Sequence, residues 1–270
     1  DYDLIAVGEW MPLTIFKNTA GKFAKVKHAA NGLEQSNGWW WSIAADDFDN
    51  DGDIDLVAGN MGYNYKFKAT KTEPLVAYTG DFDQDKLYDL AMGYHQDGQL
   101  YPAIDLGYAV IQNRYVVESL ATYNEYAVAT LYDIYTKDTL AKTAKHTIET
   151  LASTYIENLG DGTFRMRPLG NQAQISNVNS IVIRDVDEDG KKDLILAGNL
   201  YNMDVRTVRN DGSIGLWMKG NGKGDFKPVA YQKSGLDISG DVRKVVQIKI
   251  ADKHYLLVAK NNDFVQLVLL

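Results

Sequence analysis

An all-β fold of four-stranded blades, a β-propeller or part of one, is what this sequence predicts, and three observations predict it. An acidic loop recurs between two short apolar runs. A glycine hairpin closing on phenylalanine recurs alongside it. The apolar runs themselves are short and bounded by turn residues, as strands are.

The chain opens inside such an acidic loop: Asp1-Tyr-Asp-Leu-Ile-Ala-Val-Gly8 repeats Asp53 to Gly59 almost residue for residue. A parent protein longer than these 270 residues is therefore expected, with the chain as a propeller fragment over residues 1–270. The first glycine hairpin follows as Thr14-Ile-Phe-Lys-Asn-Thr-Ala-Gly-Lys-Phe23. Its Asn and Gly supply the positive φ that tight turns need. Full acidic repeats run from Ser42 to Gly59, from Leu75 to Gly93 and from Ser180 to Gly198. Further hairpins end at Phe164 and Phe226, and Val245 to Ala259 reads as a last repeat whose acidic loop has shrunk to a short turn. Strands such as Asp193-Leu-Ile-Leu-Ala197 are apolar in succession, as strands covered on both faces are.

One interval breaks the rhythm. Asp89 to Phe164 is more than twice as long as Asp193 to Phe226. A helical insertion over about 102–145 accounts for the excess. Thr122-Tyr-Asn-Glu125 is a capping box, with Tyr126, Leu131, Ile134 and Tyr135 following at near-helical spacing. Leu106 to Leu120 is a second candidate helix.

The net charge of −8, from 36 acids against 28 bases, argues against nucleic acid as a partner. The acids cluster in three places, which points to cations instead. No run approaches the roughly 18 apolar residues of a membrane helix. Absence of cysteine excludes disulfides and thiolate zinc sites and leaves the compartment open.

The acidic loops have the spacing of cation ligands. Asp47, Asp49, Asp51 and Asp55 stand at positions 1, 3, 5 and 9, with the Asp53 carbonyl at position 7. Alternate oxygens of a curled loop converge on one point, and Gly52 permits the turn at position 6. The second loop offers Asp81, Asp83, Asp85, Asp89 and the Leu87 carbonyl; the third offers Asp185, Asp187, Asp189, Asp193 and the Lys191 carbonyl. A strand follows position 9, so these are not EF-hands. Gathered carboxylates repel unless a cation lies among them, and an all-oxygen, flexible set suits Ca²⁺. Up to three structural calcium sites are expected. The second is expected to be the weakest, because Lys86 replaces the loop glycine.

With Asp47-Phe-Asp-Asn-Asp-Gly-Asp-Ile-Asp-Leu56, Asp185-Val-Asp-Glu-Asp-Gly-Lys-Lys-Asp-Leu194 and Leu159-Gly-Asp-Gly-Thr-Phe164 in view, the chain resembles FG-GAP/VCBS-repeat proteins. These build the integrin-α-like calcium propeller. From Leu151 to Gly198, with the preceding insert, it is similar to bacterial VCBS proteins related to the ASPIC/UnbV and cartilage-acidic-protein group. The resemblance implies a seven- or eight-bladed ring, calcium in the loops, and a secreted or bacterial outer-surface location.

For function, the expectation is a binding or scaffolding module for a surface protein or a glycan. Trp39, Trp40 and Trp41 are its candidate contact patch, since aromatic faces stack on sugars and pack at interfaces. Strand alternation would send some of the three into the core. The insertion would add a contact surface toward a larger assembly, or act as a lid. The alternative is a polysaccharide-lyase-like enzyme. It is disfavoured because His28, His95, His146 and His254 lie in no catalytic motif.

Overall fold

In chain order the strands are Leu4–Ala6 (β1), Glu9–Met11 (β2), Thr14–Thr19 (β3), Lys22–Lys25 (β4), Gly38–Trp39 (β5), Ser42–Asp46 (β6), Asp55–Gly59 (β7), Leu75–Gly80 (β8), Asp89–Gln96 (β9) and Gln99–Pro102 (β10). They continue as Ala144–Ile148 (β11), Thr154–Asn158 (β12), Phe164–Pro168 (β13), Val178–Arg184 (β14), Asp193–Gly198 (β15), Leu216–Gly220 (β16), Phe226–Pro228 (β17), Val242–Ile250 (β18), Lys253–Lys260 (β19) and Gln266–Leu269 (β20). This computed structural model describes every residue except 28–30, 114, 115, 117, 119, 121 and 204–206. His28 and part of the candidate helix from Leu106 to Leu120 thus lie outside the described residues.

The chain forms two units, Asp1–Lys66 with Leu151–Leu270, and Phe67–Thr150. The first holds four antiparallel sheets in tandem: β1-β3-β4, β6-β7-β12-β13, β14-β15-β16-β17 and β18-β19-β20, with a small β2-β5 ribbon. The fold is all-β and propeller-like. Strands β7 and β15 are buried along their whole length. Alternation explains why this is stable. Leu194 and Leu196 of β15 pack into one core with Val57 and Tyr155, while Ile195 and Ala197 pack into the next with Val245 and Val258. Each side of the strand thus serves a different inter-sheet core, at roughly 1.5–3 kcal/mol for each large aliphatic side chain buried.

Ownership of the hairpins differs from the expectation. After Gly59 the chain leaves the second sheet and re-enters it at β12, which pairs with β7 through Thr154↔Ala58 and Ile156↔Leu56. The helices expected over about 102–145 do lie there, between β10 and β11, but the inserted segment is larger. It is the whole Phe67–Thr150 unit, and it contains the second acidic hairpin. Its sheet runs β10-β9-β8-β11, with the last strand beside the first of the hairpin, whereas the second and third sheets of the first unit run in simple order.

Among the described residues of this unit the helices are Leu106–Gln112 (α1), Tyr123–Val128 (α2), Leu131–Ile134 (α3) and Lys137–Ala141 (α4); Tyr231–Ser234 (α5) belongs to the first unit. The Thr122–Glu125 capping box forms as expected. The apolar spacing read as one helix is three short ones. Thr130 and Thr136 each take an extended backbone and start a new helix, with Asp133 bonding back to the Thr130 N–H. Among the described residues no helix is long and apolar enough to cross a membrane.

Candidate metal centres

Each acidic loop is closed by the same local bonds. The position-1 carboxylate accepts the N–H of position 6: Gly52 on Asp47 (3.2 Å), Lys86 on Asp81 (2.9 Å) and Gly190 on Asp185 (2.8 Å). The position-5 carboxylate accepts the N–H of position 7 at Asp53 (2.9 Å), Leu87 (2.7 Å) and Lys191 (3.0 Å). The position-9 carboxylate accepts the N–H of position 2, from Phe48 (3.3 Å), Phe82 (3.0 Å) and Val186 (3.1 Å). Position 6 is left-handed in all three, at φ +97° for Gly52, +73° for Lys86 and +83° for Gly190. Only Lys86 has a side chain there, at a cost of about 1 kcal/mol.

Ligand oxygens within 4.8 Å of one another come from Asp47, Asp49 and Asp55 in the first loop, from Asp81, Asp83 and Asp85 in the second, and from Asp185, Asp187 and Asp193 in the third. Three clusters of acidic residues can therefore hold a metal ion. Asp51, Asp89 and Asp189 stand outside these groups, although their spacing placed them with the rest. The side chains of Leu87 and Lys191 offer no carboxylate, and that of Asp53 is outside its group, so a carbonyl is what position 7 could offer a cation.

The donor set fits a hard cation in the first loop. Burial pushes the Asp49 carboxyl up, and the charges of Asp55, Asp51 and Asp47 push it further. Like-charge stress of this kind is what a cation relieves. Asp89 is likewise pushed up, by burial first. The third loop differs. The Lys219 ammonium from β16 pairs with Asp187 and, at 3.0 Å, with Asp189. It holds Asp189 below the usual carboxylate range. A lysine thus competes with a cation for this loop, and the sequence reading missed it because Lys219 lies on another strand. Lys219→Met is expected to raise the third loop's divalent affinity, since it removes the ammonium that pairs with two of its carboxylates. Isothermal titration in an Asp49→Ala/Asp83→Ala background measures it; unchanged affinity would show that the lysine steps aside at no cost.

Position 9 does more than face a cation. Asp55 and Asp193 are both fully buried. Asp55 also accepts from the Tyr155 hydroxyl (2.6 Å) and the Asn158 N–H (2.8 Å). Asp193 also accepts from the Trp217 indole (3.0 Å) and the Gly220 N–H (2.8 Å). Asp3 holds the equivalent place in the first sheet, accepting the Asn18 N–H at 2.9 Å. Asp55 and Asp193 thus tie the acidic loop to the third strand of their sheets. The glycine hairpins lie against the loops: a Cβ on Gly160 would fall 2.5 Å from an Asp53 oxygen, and its φ of +75° favours glycine.

The tryptophans divide. Trp40 is 2 % exposed, with its indole on the Ser36 carbonyl (2.9 Å), so it is a core residue and not part of a contact patch. Trp39 is half-buried between Trp10 and Tyr65, each ring centroid 5.7 Å away. Trp10 sits at φ +58°, strained for a bulky residue, and sequence reading had passed over it. The indole nitrogens of Trp39 and Trp41 are buried without a hydrogen-bond partner. His95 bonds the Pro74 carbonyl through Nδ1 at 2.9 Å, a structural contact.

A second repeated feature also escaped the sequence reading. Asn60 and Asn199 each follow the glycine that ends the strand after an acidic loop, and both are buried. Asn60 accepts from the Trp39 N–H, and Asn199 donates to the Ser213 and Gly240 carbonyls. The signal was present as Ala-Gly-Asn in both repeats.

Comparison with known families agrees with this geometry at one end of the chain. The family model of the FG-GAP-like repeat matches residues 1–58. Those residues carry an FG-GAP-like repeat. The stretch spans the first sheet and the first acidic loop. No curated protein matches the chain. FG-GAP-like repeats are typically extracellular domains.

Proposed function

We propose that the chain is a calcium-stabilised extracellular module that binds a surface protein or a glycan and carries out no catalysis. The observation that carries this is the identical closure of three acidic loops, each gathering three carboxylates within 4.8 Å at a strand-to-strand turn. Calcium is the cation this donor set favours, because the ligands are all oxygen and the geometry is loop-borne. Its role would be structural: it would cancel repulsion at one end of each hairpin and leave the rest of the surface for recognition. Modules working with a Kd of ~10⁻⁴–10⁻³ M suit a calcium-rich exterior.

The half-buried Trp10–Trp39–Tyr65 group supports a contact role at the opposite ends of the strands, where β5 precedes β6. Trp10→Ala and Trp39→Ala are expected to weaken retention on a panel of immobilised polysaccharides and surface proteins about three- to tenfold, the worth of one aromatic contact. The calcium-dependent melting temperature is the control and stays within about 2 °C of the parent. Equal retention by parent and variants on every panel member counts against the aromatic contact. An unsaturated product released from any polysaccharide would make the chain an enzyme.

A further inference from the structure

We propose that the chain assembles head to tail with a second copy of itself, the last sheet of one copy docking on the first sheet of the other. The cores between the sheets of the first unit all run in one direction. Each joins a leading face of one sheet to a trailing face of the next. Ile5 and Ile15 of the first sheet meet Leu56 and Ile156 of the second. Val57 and Tyr155 of the second meet Leu194 and Met218 of the third. Val182 and Ile195 of the third meet Val245 and Leu256 of the last. Two faces are left over: the leading face of the last sheet and the trailing face of the first.

Strand register shows that both faces have the side chains of a buried one. Counted from the irregularity at Val178/Ser180, the row Val182–Ile195–Trp217 crosses β14, β15 and β16 and packs on the last sheet. Counted from the matching irregularity at Val242/Lys244, the same row of the last sheet is Val246–Leu257–Leu267. Ile248, Tyr255 and Leu269 form the next row on that side. Val182 and Ile195 are buried, whereas Val246 is 38 % exposed, Leu267 51 % and Leu269 57 %. At the other end, Leu4 and Phe16 pair as Leu194 and Met218 do, and Phe23 stands where Phe226 stands. Leu194 and Met218 are fully buried, whereas Leu4 is 50 % exposed and Phe23 54 %.

The repeat also says what covers these faces. A terminal repeat that stays single needs a polar outer face to remain soluble. Here both outer faces are apolar, and their exposure shows that they do not cover each other within one copy. In each core between sheets of the first unit, a leading face is buried by a trailing face. A second copy supplies the trailing face that the last sheet lacks. The contact is heterologous: Val246, Leu257 and Leu267 of one copy meet Leu4, Phe16 and Phe23 of the other.

Sedimentation velocity of the full chain in calcium, over about 1–100 μM, is the test. The parent is expected to gain mass with concentration, to twice the monomer mass or more. Leu267→Lys and Leu4→Lys, each at an exposed position, should each weaken association at least about a hundredfold, because an unpaired ammonium would be buried in the contact. An equal mixture of the two variants is expected to recover association and to stop at a one-to-one pair, since each supplies the face that the other has lost. If either variant fails to fold, judged by its melt, Leu269→Lys and Phe23→Lys take their places. A parent that stays monomeric throughout overturns the proposal. A single variant that associates by itself as the parent does also overturns it, because the contact would then join like faces. So does a mixture that stays monomeric while the parent associates. The acidic-loop reading is separate, and its calcium-dependent melt stands or falls whatever the sedimentation shows.

Discussion

Asp193→Ala is expected to lower the stability of the protein by about 4 kcal/mol in EGTA, and by at least as much in calcium. Asp193 is fully buried and accepts the Val186 N–H, the Trp217 indole and the Gly220 N–H. Alanine strands these three donors, each costing roughly 1–3 kcal/mol before relaxation. It also cuts the connection between the loop and β16. The contrast is Asp187→Ala. Asp187 sits in the same cluster, but it pairs with the solvent-accessible Lys219. Its loss should matter when calcium is present and very little in EGTA. Urea unfolding of both variants under both conditions decides the matter. If both variants lose stability only in calcium, Asp193 is a cation ligand first and the cross-strand bonds contribute little.

Ten millimolar calcium, compared with EGTA, should raise the melting temperature by ~5–10 °C. With a Kd near 10⁻⁴ M, that concentration is about 100-fold above Kd, which adds about 2.7 kcal/mol for each fully formed site. For a chain of this size one kcal/mol moves the melting temperature by about 2–4 °C. The first loop should dominate. Its cluster includes the buried Asp55, while the second lacks position 9 and carries Lys86 at φ +73°, and the third is shared with Lys219. Asp49→Ala should therefore remove more of the calcium response than Asp83→Ala or Asp187→Ala. Coincident melts in calcium and EGTA would leave the acidic loops as solvated turns.

Much of this was legible in residue spacing. Positions 1, 3, 5 and 9 mark the loop, because alternate residues of a tight turn point to one side. The structure gathers Asp47, Asp49 and Asp55 of that set and leaves Asp51 outside. The Thr122–Glu125 cap was equally readable, since its bonds span only one turn of chain. Trp40 shows the limit: three adjacent tryptophans could be seen, but which of them enters the core depends on the phase of β5 and β6 against the neighbouring sheet.

What the sequence determined alone is thus local: the strand–loop–strand units, the acidic ligand spacing, the glycines at left-handed turns and the all-β class. Tertiary structure decided which hairpin belongs to which sheet. Both the Ser42–Gly59 and Leu75–Gly93 hairpins are competent partners for the Thr154–Asn158 strand, and only the pairing of β12 with β7 shows that the second lies inside an insertion. It also decided that Lys219 enters the third loop and that Tyr155 and Trp217 hold the position-9 carboxylates. The reason is the same in each case. Turn geometry depends on bonds between residues a few positions apart, which spacing encodes. Strand partners and cross-strand ion pairs depend on packing between segments far apart in the chain, which no local pattern specifies.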